Sequence, residues 1–260
     1  MSSYRTLILS AEERVATITF NRPEKRNAVS YELIDELAAA LDEVRFSRAQ
    51  VLIITGAGKA FCAGMDLENL KGLLGRTHEQ NVEDSRKMAS LFRSLYDFPL
   101  PTIAAVNGAA IAGGTGIATI CDFTLAVPEA KFGYTEVKIG FVPAIVSTFL
   151  TRQVGEKIAR DLLLTGRLFD AAEAKQIGLV HEIVAPEQLT ARAHELAQML
   201  LANSPASLRA TKQLLSRSVN EELDRLIESA IEENARIRQG HDFREGITAF
   251  LEKRNPLWES

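Results

Sequence analysis

The 260-residue chain holds only two cysteines, Cys62 and Cys121, and a single tryptophan. Two thiols build no disulfide framework, and their separation matches no metal-ligand spacing, so both are expected reduced and partly buried. Cys62 lies in a glycine-rich stretch with only Lys59 nearby, which leaves a nucleophilic role without a partner. The four histidines, His78, His181, His194 and His241, form neither HxxxH nor HExxH. That removes the common helical zinc signature. G-x-S-x-G, the phosphate-loop pattern and the dinucleotide fingerprint are missing as well, which argues against a serine hydrolase or a nucleotide fold. A net charge of −4 gives no general pull toward nucleic acid or an anionic membrane. No apolar run reaches the roughly eighteen residues of a membrane helix. Pro99–Ile120 is apolar but is interrupted by Pro, Asn and Gly. Met1-Ser2-Ser3-Tyr4-Arg5 leads into a strand-like pattern without the apolar core of a secretory signal. The expectation is a cytoplasmic protein with no metal, no nucleic-acid partner and no membrane attachment.

What the chain has is ample material for a core, with 46% hydrophobic and 25% charged residues. Its length suits one large domain or two smaller ones. Leu7–Leu9 and Val15–Phe20 read as paired strands around the charged turn Ala11–Arg14. Ser30 is a good N-cap for a helix bearing Leu33, Leu37, Leu41 and Val44 on one face. Val51–Thr55, Thr102–Val106 and Phe123–Val127 read as short buried strands. Lys71–Asp84 is polar and without a clear period, and is predicted as a mobile surface segment. A helix with Met88, Leu91, Phe92 and Leu95 should stop before Pro99. From about Glu156 helices dominate, with amphipathic stretches at Glu187–Leu201 and Asn220–Arg238, the latter carrying Leu223, Leu226, Ile227, Ala230, Ile231 and Ile237. Strands alternating with helices and then helices alone predict an α/β core over residues 1–200 and a helical region over 201–260.

Two glycine-rich segments and one glutamate carry the chemistry. Gly56-Ala57-Gly58-Lys59-Ala60-Phe61-Cys62-Ala63-Gly64-Met65-Asp66-Leu67 follows the strand Val51–Thr55. Asn107-Gly108-Ala109-Ala110-Ile111-Ala112-Gly113-Gly114-Thr115-Gly116 follows Thr102–Val106. Glycines there allow a ligand close to the backbone and turn N–H groups inward. One donor from each loop would hold a carbonyl oxygen that becomes negative during reaction. Either loop alone would serve simply as a tight turn; the pair points to function. Glu136 follows the apolar Phe132-Gly133-Tyr134, where burial should raise its pKa into the range of a general acid/base.

These segments, with Asn21-Arg22-Pro23-Glu24-Lys25-Arg26-Asn27-Ala28, Leu164-Thr165-Gly166, Ala171–Val180 and Phe250-Leu251-Glu252-Lys253-Arg254, resemble the crotonase superfamily, the enoyl-CoA hydratase/isomerase family. The likeness runs from about Leu7 to Trp258. It implies a core of repeated ββα units, a helical C-terminal region, and homotrimers often paired into hexamers. By that match the oxyanion donors are the N–H groups of Met65 and Gly113, and Glu136 carries the proton. Ala112 replaces a glycine common in the family's triplet, and Gly116 stands where many relatives carry a second glutamate. The match places coenzyme A beside Arg22, Lys25, Arg26, Ala28, Ala63, Phe250 and Lys253. Phe141, Val142 and Ile145 would shape the acyl pocket or pack beneath it. Thr115, Tyr134, Asp66 and Glu68 are candidates to orient a water in place of the missing carboxylate. The implied substrate is an acyl-CoA thioester, with no cofactor beyond that coenzyme A.

Two activities follow. One carboxylate suffices for a Δ3,Δ2-enoyl-CoA isomerase, whereas hydratases of the family usually present two. The combination of Gly113-Gly114-Thr115-Gly116 with Thr135–Gly140 instead resembles a subgroup described as hydratases, and a C3-branched substrate would tolerate the loss. Hydration of a 2-enoyl-CoA is the leading expectation and isomerisation the alternative. A catalytically silent binding protein is a third, which the acidic charge and retained Glu136 disfavour.

Overall fold

The computed structural model describes residues 4–259; Met1–Ser3, part of the N-terminal reading, and Ser260 lie outside the described residues. Strand β1 (Leu7–Glu12) pairs antiparallel with β2 (Val15–Phe20), and Glu12 faces Val15 across a two-residue turn. Half of the expected charged turn, Ala11 and Glu12, is therefore strand. Glu13 makes the reversal in the left-handed region, with φ 51°. Helix α1 (Tyr31–Arg45) starts as expected at Ser30, whose Oγ accepts the Leu33 N–H at 3.1 Å. Its face of Leu33, Leu37, Leu41 and Val44 is buried.

The chain then repeats one theme. Strand β3 (Val51–Gly56) leads to β4 (Ala60–Cys62), α2 (Leu67–Gly72) and α3 (His78–Tyr96). Strand β5 (Thr102–Val106) leads to β6 (Ala109–Ile111) and α4 (Gly113–Ile120). Strand β7 (Phe123–Ala126) leads to β8 (Lys131–Gly133), a 3-10 turn at Glu136–Ile139 and α5 (Ala144–Thr165). Strands β9 (Phe169–Asp170) and β10 (Glu182–Ile183) flank α6 (Ala171–Gln176). The long strands form a six-stranded sheet in the order β1-β2-β3-β5-β7-β10, parallel except at β1/β2. The short ones form a second sheet, β4-β6-β8-β9. This is a mixed α/β fold of ββα units. Val51–Ile54 and all of β5 are buried, so they read as continuous apolar runs rather than alternating ones. Because β3, β5 and β7 are parallel, β4, β6 and β8 all leave from the same edge of the main sheet. That geometry collects both glycine loops and Glu136 on one side.

The segment Lys71–Asp84 departs from expectation. Its second half is helical, since α3 begins at His78 with a capping box between Thr77 and Gln80. The period was masked because α3 buries polar residues there, including Asn81 and Ser85. Helix α5 also begins earlier than the expected Glu156 and breaks at Gly155 (φ 76°, ψ 161°). The C-terminal helices are α7 (Leu189–Leu201), α8 (Pro205–Arg217), α9 (Asn220–Ile237) and α10 (His241–Glu252). Helix α9 buries Leu223, Ile227, Ala230 and Ile231 in the same core as the sheet, while Leu226 is exposed. Each such fully buried leucine contributes ~1.5–3 kcal/mol. Helix α10 brings Phe243 and Ile247 against Leu70 and Leu73 of the first loop region in a smaller cluster. Among the described residues, no helix is long and apolar enough to cross a membrane.

Candidate active site

The first loop is aimed by a one-residue bridge. The Val29 N–H donates to the Gly64 carbonyl at 2.7 Å, and the Asp66 N–H donates to the Val29 carbonyl at 2.9 Å. Both bonds use the neighbours of Met65, so in this parallel geometry Met65's own N–H points to the opposite side. It has no hydrogen-bond partner among the described residues, and Met65 lines the main cleft. Gly64 takes φ 88° to make the turn.

The Asn21–Ala28 segment clamps this loop from behind. Asn27 is fully buried in a left-handed conformation, and its Nδ2 donates to the carbonyls of Ala57 and Ala60 at 2.9 and 2.7 Å. Arg22 donates to Asp66 at 2.8 Å and to the Ala28 carbonyl at 2.7 Å. Asp66 also accepts the Glu68 N–H, capping α2. Arg22 neutralises Asp66 and, with the Glu68 N–H, holds its carboxyl below the usual range against the opposing effect of burial. Several sequence-based expectations are corrected here. Arg22 serves the loop rather than a free phosphate, and Asp66 is 4% exposed with its oxygens engaged. Ala28 has its N–H on Lys25 and its carbonyl on Arg22. Glu68 points outward on the exposed side of α2.

The second loop rests on the first. Gly113 opens α4, so its N–H is free of any helical partner, and the helix N-terminus favours negative charge there. Gly114 packs so closely that a Cβ on it would stand 2.3 Å from the Cys62 carbonyl oxygen. The Ala112 N–H donates to Gly133 at 2.7 Å, tying the loop to β8. Ala112 itself adopts φ 51°, ψ −121°, a strained conformation for any residue with a Cβ. Ala112→Gly is expected to raise stability by ~1 kcal/mol in urea titration; a fall would mean that its methyl contact matters more. Thr115 is not a water-orienting group. It is fully buried, donating to Ala110 at 2.6 Å and accepting the Gly133 N–H at 3.1 Å. Tyr134 is likewise sealed in, with its hydroxyl 3.2 Å from Thr119.

Glu136 starts the 3-10 turn after β8. Its Oε2 is closed off from water and has no hydrogen-bond partner. Burial raises its pKa from 4.5 to about 7, opposed only by its own backbone N–H. By contrast, burial pushes the Cys62 thiol up to about 12, which disfavours a thiolate.

Met65, Gly113 and Glu136 line one cleft of about 270 Å³, together with Ala63, Phe141, Val142, Ile145 and Phe250. Gly116 lies beneath it: a Cβ there would stand 2.6 Å from both Phe92 and Val146, which fill the space. Lys25, Arg26 and Lys253 are exposed outside the cleft lining, each without an ion-pair partner among the described residues. One part of the cleft was not foreseen. Tyr31, Asp84, Ser85, Asn234 and Arg238 come to its wall from α1, α3 and the end of α9. Nothing in sequence marks them, because a polar residue on an amphipathic helix ordinarily faces water.

A family profile described as enoyl-CoA hydratase/isomerase matches residues 10–260. The chain belongs to this family. A Thermus thermophilus protein with the provisional name enoyl-CoA hydratase is 46% identical over 93% of this chain and 96% of its own length. The short-chain-enoyl-CoA hydratase of Clostridium acetobutylicum is 35% identical over 95% of each. Among solved structures, an enoyl-CoA hydratase/isomerase from Xanthobacter autotrophicus Py2 superposes with a TM-score of 0.89 at 32% identity, covering 97% of this chain and 98% of that one. Membership of the enoyl-CoA hydratase/isomerase family therefore extends over the helical C-terminal region as well as the two loops. The sequence likeness and the fold agree along the whole chain.

Proposed function

We propose that the protein hydrates a 2-enoyl-CoA reversibly, with Glu136 as the proton carrier. The observation that carries this is a glutamate whose Oε2 is enclosed and without a partner among the described residues, its pKa raised by burial to about 7, in the same cleft as two free backbone N–H donors. The thioester oxygen accepts from Met65 and Gly113. Ionised Glu136 takes a proton from water as the water oxygen bonds to C3, and the displaced electrons move onto the thioester oxygen. The proton then passes to C2, the enolate collapses to the thioester, and the carboxylate is restored. A branch at C3 would ease the first step, since a tertiary carbon better supports developing positive charge. Coenzyme A enters only as part of the substrate, with Lys25, Arg26 and Lys253 as the uncommitted cations for its phosphates and Phe250 at the rim of the cleft.

Isomerisation is the second reading, and the packing around Gly116 favours it. With Phe92 and Val146 in the space where a second glutamate would project, Glu136 would move a proton from C2 to C4 unaided. Incubation of 2-enoyl-, 3-enoyl- and branched enoyl-CoAs in deuterated water, read by mass spectrometry, separates the two. Hydration adds one water beyond the deuterium label. Isomerisation gives an unhydrated product labelled on carbon, and that result with every substrate would overturn the hydratase reading.

Gly116→Glu follows from the same packing. It is expected to destabilise the fold by at least ~1–3 kcal/mol and to add no hydratase activity, because Phe92 and Val146 block the side chain's path. A faster, stable variant in thermal melts and hydration assays would overturn that expectation. Association into trimers or hexamers belongs to the proposal too. Helix α8 buries none of its residues and leaves Leu214 and Leu215 about 70% exposed, as expected of an interface helix; light scattering would measure the number of chains.

A further inference from the structure

The wall of the cleft formed by α1, α3 and the end of α9 is polar in a particular way. Asp84 accepts from Arg76 at 3.0 Å and from Arg238, so both its oxygens are occupied. Arg238 is 6% exposed, and its Nε is enclosed without a hydrogen-bond partner. The Tyr31 hydroxyl is enclosed and makes no ideal hydrogen bond among the described residues, but burial and then the adjacent Asp84 carboxylate, within hydrogen-bonding reach, push its pKa upward. Arg76 lies over the Tyr31 ring at 5.1 Å, and Arg238 lies over the Phe141 ring at 4.9 Å. Ser85 donates to Asn234 Oδ1 at 2.9 Å, leaving the Asn234 amide N–H groups unbonded.

Two guanidinium groups thus share one carboxylate, which leaves a net positive charge at the cleft wall, with two enclosed donors without acceptors among the described residues behind it. Buried donors without partners cost ~1–3 kcal/mol each, more when charged. An acceptor-only anionic group would satisfy them and balance the charge. Elsewhere the cleft is apolar, with Val29, Ile34, Leu70, Met88 and Ile145 suited to a methylene chain. Glu136 enters the cleft from the 3-10 turn after β8, whereas this polar wall is built by α1, α3 and the end of α9.

We propose that this wall selects an acyl chain ending in a second carboxylate, so that the preferred substrate is the CoA thioester of an unsaturated dicarboxylic acid. The carboxylate would pair with the Arg238 guanidinium, a small side-chain shift opening its Nε and the Tyr31 hydroxyl to it. This rests on the reading of the cleft as an acyl-CoA site.

The decisive comparison is 2-hexenoyl-CoA against the 2-enoyl-CoA of the six-carbon dicarboxylic acid, which differ only at the chain end. The wild-type kcat/KM is expected to favour the dicarboxylate by about tenfold or more, since a site with unpaired donors discriminates against a ligand that leaves them unpaired. Tyr31→Phe removes the hydroxyl, whose one acidic neighbour is Asp84, while keeping the ring under Arg76, and should shrink that ratio several-fold. Arg238→Gln should abolish it, but could also disturb Asp84, so Tyr31→Phe is the cleaner variant. A wild-type preference for the methyl end, or a ratio unmoved in Tyr31→Phe, would overturn the assignment. If neither thioester turns over, the hydration reading fails separately. Calorimetry with hexanoyl-CoA and adipyl-CoA then decides: tighter binding of adipyl-CoA upholds the carboxylate site, and equal or weaker binding overturns it.

Discussion

Glu136→Gln is expected to lower turnover by about 10²–10⁴-fold, the usual contribution of a positioned acid/base, with acyl-CoA affinity nearly unchanged. The amide keeps the shape of the side chain and loses only the ability to hold and release the proton. In the proposed mechanism, the ionised carboxyl starts the reaction. With a pKa of about 7, kcat/KM should therefore rise with pH up to about 7 and level off above it. The same substitution should change stability in the opposite sense. Native Glu136 binds its proton more tightly than the unfolded chain does, because burial raises its pKa from 4.5 to about 7. The native state therefore loses stability as pH rises from about 4.5 to about 7, and above that the cost is about 3 kcal/mol. Below pH 4.5 both states are protonated and the cost vanishes. Glu136→Gln should accordingly be more stable than wild type at pH 8 and equal to it near pH 4.5. Urea titrations at the two pH values, beside steady-state kinetics, measure both effects. Full activity in the variant, or a stability difference independent of pH, would sink the assignment.

Gly114→Ala should produce the second large effect, on the proposed oxyanion donors. The new Cβ would stand 2.3 Å from the Cys62 carbonyl oxygen and 3.0 Å from its carbon, which are backbone atoms that cannot swing aside. The loops would have to separate, and the N–H groups of Met65 and Gly113 would no longer converge. Misplacing one oxyanion donor lowers kcat by about 10²–10³-fold, and the overpacking should destabilise the fold by at least ~1–3 kcal/mol. Gly72→Ala is the matching control, since a Cβ there meets nothing within 4 Å. Equal melting temperatures and equal turnover for Gly114→Ala and Gly72→Ala would show that the loop contact has no such role.

Much of this arrangement was legible in the residues. The strands β3, β5 and β7 announce themselves as short apolar runs, and Ser30 marks the start of α1. Glycine at 64 and 114 is informative because a turn with positive φ and two backbones in contact exclude a side chain. Glu136 stood out as a carboxyl beside an apolar strand. Arg22 and Asp66 were misread because a charged side chain in sequence carries no sign of its partner, and here each is the other's. Thr115 failed as a water ligand for a similar reason, as its hydroxyl bridges β6 and β8.

By itself the sequence determined the alternation of strands and helices and, through its resemblance, the family and the groups proposed to move a proton or hold an oxyanion. These depend on local pattern: apolar period, glycine at forced turns, and one carboxyl at a fixed distance from two loops. The tertiary structure alone decided which polar groups are spent on the scaffold and which face the cleft. It placed Phe92 and Val146 in the space above Gly116 and brought Tyr31, Asp84 and Arg238 together from three helices. Hydrogen bonding and desolvation depend on neighbours distant in the chain, so only their packing could reveal those assignments.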